Sequence, residues 1–281
     1  MIHTISTPQE LRPFAGCAFV PTMGALHEGH LALIRRAKSL APSGRAVVVS
    51  IFVNPTQFGP GGDFNRYPRD LEGDLEKAES AGANVAFVPS VETVYPPGEA
   101  VPVPPLPDVA TRPRLEDAHR PGHFAGVCQV VARLFDLVQP GAAILGEKDW
   151  QQLKVIEAMV RAEPARWPGL SIVPHATVRE ADGLALSSRN VFLSKEERAC
   201  ARGIPHALNE AQDLARSGWD TRRIEERMRA TLVRHHLQID YAVVRDAETL
   251  MPVVDGSSLR AGRALIAARI GSTRLIDNAA V

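Results

Sequence analysis

The chain has 281 residues, 45% of them apolar and 23% charged, enough for one large or two ordinary packed units. Lysine plus arginine equals aspartate plus glutamate at 32 each, so no charge excess points to nucleic acid. No run of eighteen apolar residues reads as a membrane span, and the first residues show no basic-then-apolar leader, so a cytoplasmic location is expected.

Ser6-Thr7-Pro8-Gln9-Glu10-Leu11 has the form of a helix start, with proline tolerated in the first turn. The apolar run Cys17 to Val20 is expected to be a strand that stops at Pro21. After a glycine-containing turn, Leu31, Ile34 and Ala37 recur at helical spacing and predict a helix over 29–40. His27 and His30 fall in its first turn. Backbone N–H groups lack partners there and the helix dipole is positive, so the place suits an anion, and two imidazoles add donors. A zinc-protease motif needs histidines four apart, and a P-loop needs Gly-Lys-Ser/Thr; neither fits.

Val47 to Val53 is a continuous β-branched run, as for a strand buried on both faces. It ends in Asn54-Pro-Thr-Gln57, followed by the glycine-rich stretch Gly59–Gly62. A helix is expected over Leu71–Ala81 and a strand over Val85–Val88. Six prolines between Pro96 and Pro107 exclude a helix or central strand and read as an extended surface loop. Arg120-Pro-Gly-His-Phe-Ala-Gly126 opens a helix whose Val127, Val130, Val131, Leu134 and Val138 share a face. Strand Ala142–Leu145 leads to Gly146-Glu-Lys-Asp149 and a helix over 151–161.

Strands alternating with helices from residue 17 to about 175 predict an α/β fold, a Rossmann-like, doubly wound parallel sheet. Ligands bind beyond the carboxyl ends of such strands. Met23, His27 and His30, then Asn54 and Gln57, then Lys148 and Asp149 fall at those ends. From about 185 the pattern changes to helices near 195–216 and 220–235 and strands near 239–245, 264–269 and 273–277. We therefore divide the chain into residues 1–184 and a smaller α+β unit, 185–281. The three cysteines, Cys17, Cys128 and Cys200, are far apart and read as reduced thiols.

Lys148 and Arg189 offer fixed positive charge and Ser187 and Ser188 neutral donors, a set suited to a triphosphate. Nucleotidyl transfer needs positioning and charge stabilisation more than a protein nucleophile, and an ionised substrate carboxylate can attack phosphorus itself. Gln57 and Gln152 are neutral two-sided groups for hydroxyl and carboxylate recognition.

Five stretches in this order closely resemble the pantoate–β-alanine ligase family: Met23 to His30, Phe52 to Phe58, Arg120 to Gly126, Gly146 to Leu153 and Arg179 to Asn190. The likeness continues through Gly271 to Asn278. His27-Glu-Gly-His30 and Leu186-Ser-Ser-Arg189 also resemble the HIGH-like and KMSKS-like motifs of the wider nucleotidyltransferase superfamily. The resemblance implies ATP-dependent condensation of (R)-pantoate with β-alanine through a pantoyl-adenylate, releasing pyrophosphate and AMP, with Mg2+ on the phosphates. It implies that Met23, Gly24, Ala25, Leu26, His27, Glu28, Gly29 and His30 hold ATP, together with Gly146, Glu147, Lys148, Asp149, Val178, Leu186, Ser187, Ser188 and Arg189. Gln57 then binds pantoate and β-alanine and Gln152 pantoate, with Asn54 beside them.

His27, His30, Lys148 and Arg189 are the expected catalytic groups, and the family assigns His30 as proton donor. We read both histidines as stabilisers of phosphate charge instead, because adenylation moves no substrate proton. The magnesium ligands stay open: Asp74 is weighed but reads better as an exposed helix carboxylate, since Mg2+ is often held by phosphates and water. Thr56, where many members have Met, and Trp150, where Tyr or Phe is common, remove no polar group from the expected site. Partners are small molecules, with neither nucleic acid nor membrane. The resemblance implies a homodimer, and the second unit is expected to close over ATP as a lid. The alternatives are another adenylating nucleotidyltransferase and a non-catalytic ATP-binding sensor.

Overall fold

The structure, a computed structural model, describes residues 2–41, 44–57, 64, 67–253 and 262–281, so the expected Gly59–Gly62 loop lies outside the described residues. In chain order the larger part runs β1 (His3–Ile5), α1 (Pro8–Leu11), β2 (Ala18–Thr22), α2 (Glu28–Leu40), β3 (Val47–Ile51), α3 (Leu71–Ser80) and β4 (Val85–Phe87). It continues with α4 (Val91–Val94), α5 (Glu116–His119), α6 (His123–Val138), β5 (Ala142–Gly146), α7 (Trp150–Ala162) and β6 (Ser171–His175). The strands form one six-stranded sheet in the order β1-β4-β3-β2-β5-β6, every pair parallel. Neighbouring side chains alternate between its faces. Phe19 and Val48 pack with Phe135, Leu153 and Ile156 of α6 and α7, while Val20, Val47 and Val49 pack with Ile34 of α2 and Ala78 of α3. That is the expected doubly wound arrangement.

Two details of this sheet depart from the sequence reading. Strand β1 has three residues, too few to show a period, and exists through pairing with β4 (His3 opposite Val85). Strand β2 does not stop at Pro21 but continues to Thr22. Ala18 N–H donates to Ala46 O and Thr22 O accepts from Phe52 N–H, so the even positions face β3 and Pro21 faces β5. Pairing to β5 has already ended at Phe19–Ala143, so the missing N–H of Pro21 costs no ladder bond. Beyond that point β2 and β5 part and leave a crevice at their carboxyl ends, the switch point of an open α/β sheet.

The rest of the chain builds α8 (Lys195–Ala201), α9 (Gly203–Arg216), α10 (Thr221–Arg234), β7 (Gln238–Asp246), β8 (Gly262–Ile270) and β9 (Thr273–Ala280). The strands form an antiparallel sheet, β7-β8-β9. The single helix expected over 195–216 is two helices. Pro205, which has no N–H to continue a ladder, sits in the first turn of α9, and a Cβ at Gly203 would collide with the His235 ring. Leu208, Ile224, Met228, Leu232 and Ile266 form this unit's core. A further cluster, Leu115, Tyr241, Val243, Leu250 and Leu265 with Trp150 against it, joins the two sheets' elements. Among the described residues no helix is long and apolar enough to cross a membrane.

Candidate active site

The crevice between β2 and β5 opens into a cleft lined by both parts of the chain. On its first side, Thr22 Oγ1 donates to Ser50 O (2.6 Å) and accepts from Gly24 N–H (3.2 Å), which turns the backbone sharply after β2. Gly24 has φ +81°, and a Cβ there would lie 2.8 Å from Asp74 Oδ2. Asp74 is not the exposed helix carboxylate expected from the sequence. It is 1% exposed, and its two oxygens accept from Ala25 N–H (2.8 Å) and Leu26 N–H (2.6 Å). It clamps the turn, with both carboxylate oxygens engaged by backbone amides. Burial raises its carboxyl above the ordinary value, and those amide bonds oppose the shift.

The turn delivers His27 to the N-cap of α2. His27 Nδ1 accepts from Gly29 N–H (3.2 Å), and His30 Nδ1 accepts from His27 N–H (3.4 Å). This is a reciprocal capping box made of two imidazoles, with ring centroids 4.1 Å apart. Because each Nδ1 is an acceptor, the hydrogen-bond network assigns the proton of each neutral ring to Nε2. Burial pushes His27 down to about 4, with Lys148 adding to the shift; burial and then His27 itself push His30 down to about 3. At neutral pH both rings are uncharged Nε2–H donors, which supports charge stabilisation and opposes proton donation by His30.

From the second side, β5 ends in the turn Glu147–Asp149. Lys148 Nζ lies 3.7 Å from Asp149 Oδ1 and lines the cleft. Two groups sequence reasoning missed hold this turn. Asn278 Nδ2 donates to both Glu147 O and Lys148 O (2.9 Å each). Arg263 pairs with Glu147 (3.2 Å), donates to Asn278 Oδ1 (2.7 Å) and lies 3.6 Å from the Trp150 ring centroid. Arg263 and Asn278 are distant in sequence from the turn, so no local pattern could reveal them.

The third wall is Pro55–Gln57 against α6. Gln57 Nε2 donates to Met23 Sδ (3.2 Å), and its Oε1 accepts from Asn54 Nδ2 (3.2 Å). Asn54 is buried and spent on protein partners: Nδ2 also donates to Gly126 O (3.2 Å), and Oδ1 accepts from Tyr95 Oη (2.8 Å). It positions Gln57. Gly126 is glycine because a Cβ would run into the carbonyl of Thr56. His123 Nδ1 donates to Gln57 O (3.1 Å), which places the Arg120–Gly126 motif directly behind the glutamine. Gln152 lines the cleft from α7; Gln151 beside it also reaches the lining but is buried, and its amide is spent on Glu116 N–H (3.0 Å) and Val109 O (2.9 Å).

The last wall is Val178 with Leu186–Arg189. Leu186 N–H donates to Val178 O (3.0 Å), and Ser187 Oγ accepts from Arg189 N–H (3.3 Å). Met23, His27, Gly29, His30, Gln57, Gly146, Lys148, Asp149, Gln152, Val178 and Leu186–Arg189 thus meet at one cleft. Gly24, Ala25, Leu26, Glu28 and Glu147 do not line it. The first three form the turn on Asp74, Glu28 pairs with Arg35 on the surface, and Glu147 faces Arg263. Among the described residues no three His, Cys, Asp or Glu side chains cluster as a metal centre. Of the carboxylates on the cleft, Glu116 is bound by Arg274 and Asp277 by Arg179, whereas Asp149 has only the longer 3.7 Å contact to Lys148.

Residues 2–280 match the family model described as pantoate-beta-alanine ligase. A pantothenate synthetase of Rubrobacter xylanophilus is 48% identical over 99% of this chain and 98% of its own length. One from Thermus thermophilus is 47% identical over 99% and 98%. A crystal structure of pantothenate synthetase from Thermus thermophilus superposes with TM-score 0.91 at 44% identity, covering 99% of both chains. Pantoate-beta-alanine ligase from Francisella tularensis, solved in complex with beta-gamma ATP and β-alanine, gives TM-score 0.79 at 31% identity over 100% of this chain and 98% of that one.

Proposed function

The chain belongs to the pantoate–β-alanine ligase family, and from that premise we propose how its cleft divides the work. The protein is an ATP-dependent pantoate–β-alanine ligase. In the first step the pantoate carboxylate attacks the α-phosphorus: an O–P bond forms, the bond to pyrophosphate breaks, and no proton moves. Negative charge grows on the phosphates. Lys148, Arg189 and the two Nε2–H donors of His27 and His30 are preorganised around that charge. Gln57 and Gln152 hold pantoate. In the second step the unprotonated amine of β-alanine attacks the acyl carbonyl, the C–N bond forms, the C–O bond to AMP breaks, and the surplus nitrogen proton passes to water.

Magnesium, when bound, neutralises phosphate charge. The cleft fits it in one modest way, through Asp149, and that is sufficient for an ion held mainly by phosphates and water. The observation that carries the assignment is the histidine box: both Nδ1 atoms are tied to backbone amides, so both Nε2–H groups stay available to phosphate.

The test is pyrophosphate release from ATP, pantoate and Mg2+ without β-alanine, then AMP and pantothenate release with it. At least one pyrophosphate per site before β-alanine is added is expected. ATP binding with no pyrophosphate would identify a sensor instead. To the same proposal belong the units 1–184 and 185–281, the second covering ATP. Hydrogen exchange at Leu186–Arg189 should slow with nucleotide, and unchanged exchange would remove the lid. A homodimer, read by light scattering, and a reducing, cytosolic setting, in keeping with three unpaired cysteines, complete it.

A further inference from the structure

One motif is left unused by that division of labour, Arg120-Pro-Gly-His-Phe-Ala-Gly126. Arg120 lines the cleft, and its side chain is about one-third exposed. A guanidinium has five donors. Among the described residues the Arg120 side chain makes one long hydrogen bond, 3.5 Å to Glu116 Oε2. Glu116 hardly needs it. Arg274 grips that carboxylate through both Nη atoms (2.8 and 2.7 Å), and Tyr241 Oη donates to it (2.8 Å). Arg120 is therefore a cation in surplus at the cleft wall. Burial, with the like charge of Arg189 adding to it, pushes its pKa down, so an anion beside Arg120 would be favoured.

Position says which anion. The phosphates have Lys148, Arg189 and the imidazole donors at the parting of β2 and β5. Arg120 stands on the other wall: its carbonyl accepts from His123 N–H (3.0 Å), and the His123 ring donates to Gln57 O (3.1 Å). It is built into the same support as the glutamine expected to meet both pantoate and the amino acid. The carboxylate of pantoate is consumed in the first step, so the anion still without a partner in the second is the carboxylate of the amino acid.

We propose that Arg120 is the carboxylate receptor for the incoming β-amino acid, a side chain that aims its amine at the acyl group and selects a zwitterion over a plain amine. A planar fork matched to a carboxylate gives both orientation and discrimination. The inference rests on the ligase reading of the cleft.

The experiment compares β-alanine with β-alaninamide, which keeps the amine and loses the charge, in the natural protein and in Arg120→Gln and Arg120→Lys. The natural protein should prefer β-alanine on kcat/KM by roughly a hundredfold, the scale of a bidentate charge-assisted contact. Arg120→Gln should raise KM for β-alanine by that factor, nearly erase the preference, and change pyrophosphate release without β-alanine by less than threefold. Arg120→Lys, which keeps the charge and loses the fork, should fall between, and thermal melting reports folding of both. A preserved preference in a folded Arg120→Gln protein overturns the assignment. So does an equal loss of pyrophosphate release, which would place Arg120 on the phosphates. Failure of the natural protein to release pyrophosphate would instead overturn the ligase reading.

Discussion

His27 and His30 owe their chemistry to where their Nδ1 atoms are spent. An unfolded imidazole takes a proton near pH 6.5, whereas these stay neutral down to about 4 and about 3. Between those values the unfolded chain binds protons that the fold refuses. Their contribution to stability is complete above pH 6.5 and is lost as pH falls toward 3. Imidazole resonances of both residues should therefore stay constant from pH 7.5 to about 5; a midpoint near 6.5 for either would overturn the neutral-donor role. In the proposed mechanism Lys148 works differently, as a cation set against the phosphates. Lys148→Ala should slow pyrophosphate release by on the order of a hundredfold, the typical cost of one preorganised stabiliser. Single-turnover kinetics measure it, and an unchanged rate would take Lys148 out of the first step.

The helix α6 acts through contact with a neighbouring turn rather than through a reactive group. Its Gly126 lets the helix touch the backbone of Thr56 and Gln57, and its His123 ties down the Gln57 carbonyl. Gly126→Ala inserts a methyl where there is backbone, and overpacking of that kind costs about 1–3 kcal/mol. The expected outcome is a lower melting temperature together with a KM for pantoate that rises far more than the KM for ATP. Equal rises would mean that the turn does not serve pantoate in particular. The helix α3 plays a comparable part through Asp74. Read along the chain, this residue is one more acid in a helix's first turn. In three dimensions it is a buried clamp on the turn after β2.

Across the whole molecule, the smaller sheet helps to build the wall of the cleft that carries Lys148. Strand β9 supplies Asn278 to two carbonyls of the Lys148 turn and Asp277 to a two-bonded pair with Arg179 (2.6 and 3.1 Å). Trp150 Nε1 donates to Ala247 O (2.9 Å) from the opposite direction. Asn278→Ala removes three side-chain hydrogen bonds, two to the Lys148 turn and one from Arg263. The two to the turn are worth roughly 1 kcal/mol each, so adenylation should slow by about tenfold or more. The KM for β-alanine should hold. A rate that does not change would make the contact one of stability alone.

The alternation of strands and helices, the apolar face of α6 and the helix start at His27 were legible in the chain, because periodicity and capping are local properties. The His-x-x-His box, Lys148 and the Ser187–Arg189 loop were legible as chemistry for the same reason. Tertiary structure decided the rest. Asp74 became a clamp, Asn54 a brace and Arg120 a surplus charge because their partners lie 48, 72 and 154 positions away, at Leu26, Gly126 and Arg274 (acting through Glu116). Pro21 could end in a strand because pairing with β5 stops before it, and Gly24 to Leu26 turned from the cleft because Asp74 holds the amides of that turn. Local order sets which segments form. Burial and hydrogen bonding between distant segments set which polar groups are spent on the fold and which remain for substrate.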